Sequence, residues 1–229
     1  MEILFMENKG TKNENKPEKN TKERIFDISI DLFSQKGFNA VSVREIARTV
    51  GIRESSIYNH YKNKDAILEG AFQYFKGELI KMRPPEVRNL ENHGNITPEV
   101  FRQRAQLTLN LFKNPKMEKL FRIISSEQFR DERARTIVLQ YLLQEPYSFS
   151  KNVLKIMVKN GIIAEIDPEI KAMEFQYTIF SLFMEYLLLR SEGSDIKRIE
   201  TLIEKHIDHF TNSLEKVDKK NEHNRRNKK

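Results

Sequence analysis

Residues 42–72 read SVREIARTVGIRESSIYNHYKNKDAILEGAF, and the organisation of the chain follows from them. Ser42 stands three residues before Glu45, a spacing that lets a helix start satisfy its own orphan N–H groups. Val43, Ile46, Ala47 and Val50 recur on one face at helical spacing, and Gly51 supplies a left-handed stop. A second short helix is expected over roughly Glu54–Tyr61. Ala47, Ile52 and Ile57 fill the small space between the two. Short helices joined by a glycine turn read as a helix-turn-helix, whose second helix packs with one face and projects the other.

The projecting face is rich in hydrogen-bonding groups that packing does not need. Tyr58 and His60 can donate to phosphate oxygens, Asn59 can bond base edges or backbone, and Arg53 can reach guanine or phosphate. Glu54, Ser55 and Ser56 open the second helix, where base edges are read. Lys64 stands at the start of the next helix, where its charge and the free N–H groups both favour a phosphate.

The rest of the chain reads as helix. Its 229 residues include 38% apolar and 32% charged residues, with only eight Gly and seven Pro, and no strand-turn rhythm appears. Ile25, Ile28, Leu32 and Phe33 predict a helix from Thr21, as cap, to about Gln35. A long one is predicted over Asp65–Met82, halted by Pro84-Pro85. Further helices are expected over 98–112, 115–128, 130–144, 146–160, 168–191 and 195–215. Residues 1–20 read as a disordered arm. Residues 216–229 carry seven basic against two acidic groups and read as a disordered basic tail, adding at most weak attraction to a polyanion. Without cysteine, disulfides and thiolate chemistry are excluded. With no signal peptide or apolar run of spanning length, the expected location is cytoplasmic.

The segment resembles the DNA-binding part of the TetR family of transcriptional regulators. The resemblance rests on F…KGF, S-x-x-E-I-A, G-I, I-Y-x-H-Y and N-K-D-A-I-L over about residues 21–75. It implies an all-α protein with a three-helix DNA-binding domain at 21–66, its reading motif at 42–61, and a ligand-binding and dimerisation domain at 67–215. It implies that Ser42 and Arg44 meet phosphates, that Arg53, Glu54, Ser55, Ser56 and Asn59 face bases, and that Tyr58, His60 and Lys64 clamp the backbone. Two positions depart from the family pattern. Many members place Ser where Arg53 stands, as helix cap, and Gly where Ser55 stands, so base preference is not inherited.

The resemblance also implies a homodimer on a near-palindromic operator and a repressor released by a small apolar or aromatic ligand. Phe101, Phe112, Phe121, Phe129, Tyr141, Phe149, Phe175 and Tyr177 are the candidate pocket residues. Leu182, Phe183, Tyr186, Leu202, His206 and Phe210, on the last two amphipathic helices, are the candidate dimer contacts, the alternative being burial within one subunit. An enzyme is the first rival. His206 and His209 stand beside Asp208, but no phosphate loop, nucleophile elbow or zinc signature accompanies them, so neither catalysis nor a metal or cofactor is expected. The other rivals are a helical partner-binding protein and a regulator of this type controlled without a small-molecule ligand.

Overall fold

The computed structural model describes residues 20–82 and 96–226, with side chains as far as Leu214. Among them every regular element is helical. α1 (Thr21–Lys36), α2 (Val43–Val50) and α3 (Glu54–Tyr58) form an N-terminal cluster, and α4 (Lys64–Lys81) leads out of it. α5 (Glu99–Lys113), α6 (Pro115–Glu127), α7 (Glu132–Thr136), α8 (Glu145–Lys159), α9 (Pro168–Glu192) and α10 (Lys197–Arg226) build the remainder.

Local chemistry sets the boundaries. The cap of α1 is Asn20, whose side chain accepts from the Glu23 N–H at 2.9 Å, so Thr21 is the first helical residue and not the expected cap. Ser42 caps α2 through the Glu45 N–H at 3.1 Å. Asn114 and Asp167 cap α6 and α9, each followed by Pro, which has no N–H to leave orphaned there. α3 is shorter than expected. The N–H groups of His60 and Tyr61 both turn back to the Ile57 carbonyl at 2.9 Å, closing a turn where the sequence suggested continued helix.

The core is continuous. Ile25, Phe33, Ile46 and Ile57 hold the N-terminal cluster together, and Leu68, Phe72 and Phe75 of α4 extend that core into the larger helical body. There Phe75 meets Phe112 and Phe121, with centroids 6.3 and 6.5 Å away. Ion pairs across the same junction join Lys116 to Asp27 at 2.8 Å and Lys119 to Asp31 at 2.6 Å.

The helices expected over 130–144 and 146–160 run into one another with no break at Glu145. Ile137–Gln144 is wound as a π-helix, and Pro146 lies in the first turn of α8. The Pro84-Pro85 stop and the arm as far as residue 19 lie outside the described residues. The backbone of α10 continues to Arg226, past the expected start of a disordered tail.

Candidate nucleic-acid interface

The reading motif is built from very few anchors. Ile46, Ala47 and Val50 face inward from α2, and Ile57 alone is buried on α3, with no exposed surface. Gly51 takes φ 81°, ψ 34°, and its N–H returns to the Ala47 and Arg48 carbonyls. The Ile52 N–H bonds Ala47 as well, at 3.0 Å. From outside the motif, the Arg24 guanidinium donates to the Val50 carbonyl at 2.8 Å, fixing the end of α2 on α1. The Glu45 carboxyl is held below the usual carboxylate range, first by the Lys36 ammonium at 2.6 Å. It also receives the Ser42 N–H, completing the capping box.

Val43, Ile52 and Tyr61 pack on this core half-buried, and the polar residues of the motif are mostly exposed. Ser42, Arg44, Arg53, Glu54, Ser55, Asn59 and His60 are exposed and Ser56 is half-buried. Tyr58 is 51% exposed, a large aromatic left in water. Arg53 occupies the cap position of α3 without a capping side-chain bond, which leaves its guanidinium outward. Eight of the ten residues expected to meet DNA are thus exposed, with Ser56 half-buried.

Lys64 differs. Its ammonium is turned inward, donating to the Phe38 carbonyl at 2.8 Å and the Val41 carbonyl at 2.7 Å, over the Phe38 ring at 4.2 Å. Burial pushes its pKa down, with Glu127 pulling the other way. The side chain staples the start of α4 to the α1–α2 turn and does not present a phosphate clamp. Its two acceptors satisfy two of its three donors, which is why the inward rotamer is held.

A second feature lies beyond α4. An apolar cavity of about 100 Å³ is walled by α4, α5, α6, the π segment, Glu145 and Pro146 at the start of α8, and α9. Of the aromatics expected to line a pocket, Phe112, Phe121, Tyr141 and Phe175 do so. The others do not. Phe101 is core, packed edge-on against Phe175 and Phe210. Phe149 lies under the Arg104 guanidinium at 4.3 Å. Phe129 is 84% exposed and Tyr177 about half exposed. Residues that aromatic spacing missed complete the wall, among them Leu79, Met82, Leu142, Gln176 and Ile179. Their pattern in sequence is that of any core aliphatic.

The expected dimer contacts need a larger correction. Phe183, Tyr186 and Phe210 are buried inside one protomer, and Phe183 lines the cavity. His206 is half-buried and stacked on Phe175, with centroids 5.6 Å apart. Leu182 is half-buried, and only Leu202 of the six is exposed. His206 and Phe210 join α10 to α9 through Phe175, and Phe210 meets Phe101 of α5. The outward apolar face of α9 is instead Ile170, Met173, Tyr177 and Leu188.

Residues 25–71 match the family model described as bacterial regulatory proteins, tetR family. That stretch therefore carries the TetR-family DNA-binding segment. It is 35% identical over 97 residues to the uncharacterized HTH-type transcriptional regulator YerO of Bacillus subtilis, covering 42% of this chain and 32% of that one. It is 38% identical over 64 residues to IcaR, the biofilm operon icaADBC negative transcriptional regulator of Staphylococcus epidermidis, covering 26% of this chain and 35% of that one. The matched stretch therefore spans about a third of the length of each of these two relatives. Beyond it the TetR-family likeness is one of fold. A solved SmeT–triclosan complex aligns over 85% of this chain and 91% of its own, with TM-score 0.58 at 17% identity.

Proposed function

We propose that the protein is a dimeric, sequence-specific DNA-binding transcriptional regulator of the TetR family, most simply a repressor released when a small apolar ligand enters the helical body. The exposed face of α2 and α3 carries the reading. It holds Arg44, Arg53, Tyr58, Asn59 and His60, all of them exposed, a set suited to phosphates and base edges. IcaR, similar over the same stretch, is named a negative regulator. Lys64 acts here as a structural staple, and its part in DNA binding is to hold α4 in place.

Two copies joined through the outward face of α9 would set two reading helices about 34 Å, one turn of DNA, apart. The apolar cavity supports the ligand-responsive part, as does the triclosan held by SmeT. Selection of bound duplexes from a random pool tests the whole reading. The expected product is a near-palindromic consensus with half-sites one helical turn apart. A pool that gains no consensus contradicts it.

A further inference from the structure

The cavity's volume, about 100 Å³, is well under the roughly 300 Å³ that ligand sites usually offer. A ligand of ordinary size enters only if a wall moves. Most of the wall is regular α-helix, but Tyr141 and Leu142 belong to the π segment Ile137–Gln144. Such winding is rare, is mostly confined to a single turn, and is often found at functional sites.

Its cause is adjacent. Pro146 has no N–H to give, and in α register its ring would press on the carbonyl of Leu142, four residues back. The Glu145 N–H bonds to the Gln140 carbonyl, five residues back, so the wide register persists up to the proline. Pro146 thus disfavours α register at this point and favours the wide winding.

The π segment joins two parts with different attachments. On one side α8 packs along α9. On the other, Arg133 of α7 grips α4, with its guanidinium 2.6 Å from Asp65 and 3.1 Å from Glu69, while Asp131 steadies it at 2.7 Å. Tyr141 meets α4 as well. The Lys76 ammonium lies 5.0 Å from its ring centroid, and the ring forms part of the wall of both the cavity and a crevice shared with Lys76 and Arg133.

We propose that the π segment is the hinge by which an occupied cavity is felt at α4. A ligand displaces Tyr141, the segment rewinds toward α register, and α7 turns on α8, carrying the Arg133 grip and with it Asp65 and Glu69. The π-wound form keeps the cavity narrow and is the ligand-poor state. This rests on the ligand-responsive function proposed for the cavity. Whatever shifts the winding must then move duplex affinity and ligand affinity in opposite directions, each in proportion to the population of the form that binds it.

Pro146→Ala restores the N–H and removes the clash, favouring the α-wound form. The readouts are affinity for the selected duplex, affinity for anilinonaphthalene sulfonate as an apolar fluorescent probe, and amide exchange across residues 137–146. The expected result is probe binding tighter by about fivefold or more, with duplex binding weaker as the π-wound form is depleted. A folded variant with both affinities unchanged, while the probe releases duplex from the parent protein, overturns the hinge and leaves the regulator reading intact. A parent protein that binds no probe, or keeps its duplex with probe bound, overturns the ligand reading and the hinge with it. Lys76→Met gives an independent check should Pro146→Ala not fold. Probe-driven release of duplex should fall at least about fivefold, and undiminished release contradicts the hinge.

Discussion

Gly51 shows how much one residue decides. Its φ of 81° lies where L side chains are strained, yet a Cβ there would find nothing within 4 Å. The cost of Gly51→Ala is therefore conformational alone, about 1–2 kcal/mol, and a shift in the urea midpoint with unchanged slope checks it. Gly51 and Ser42 were legible in sequence because their work is local: the turn and the cap lie within three or four residues. Lys64 was not. Its acceptors Phe38 and Val41 are 26 and 23 residues away, and no spacing rule reveals a bond that only the fold brings together. Arg53 and Tyr58 were readable as outward residues because α3 has a single buried anchor, Ile57.

At the scale of elements, helix positions were readable from apolar spacing, but the orientation of α9 was not. Apolar residues surround it, so periodicity found its stripes without saying which faces the core. Tyr186 and Phe210 went inward, and Leu188 and Tyr177 stayed out. The π segment escaped too, since a proline reads as a break and not as a change of winding. The seam of α9 and α10 has its own pH signature. Burial pushes the His206 imidazole below its usual value, with Lys171 and His209 acting the same way and the Phe175 carbonyl opposing. The unfolded chain therefore takes up this proton first, near pH 6.5. Stability from His206 is complete above that pH and declines as pH falls toward the folded value. Melting temperature followed from about pH 7.5 to 5.5 should drop, and His206→Asn should flatten that drop. A variant that follows the parent curve would remove His206 as the cause.

Across the whole molecule, α4 is the element both halves share. Its start is fixed to the N-terminal cluster by Lys64, its flank is gripped by Arg133, and its end lines the cavity through Leu79 and Met82. A displacement of α4 would thus move the reading face as a body. The face itself carries few cations, so phosphate contacts alone would give modest binding. For each phosphate a half-site neutralises, the logarithm of affinity should fall with the logarithm of salt by about 0.9. A slope of zero would show that phosphates are not met.

The regulator function stands or falls on the outward face of α2 and α3 binding duplex DNA. The most direct measurement is a titration of the protein against its selected duplex at two salt concentrations, beside Arg53→Ala and Tyr58→Ala. Both side chains are exposed, so the folded state should change by no more than about 0.5 kcal/mol. The predicted result is competitor-resistant binding that weakens with salt, and a loss of about 1–3 kcal/mol in the Arg53 variant, with Tyr58→Ala weakening it too. Binding no tighter than to random duplex, and unchanged by either substitution, would contradict it.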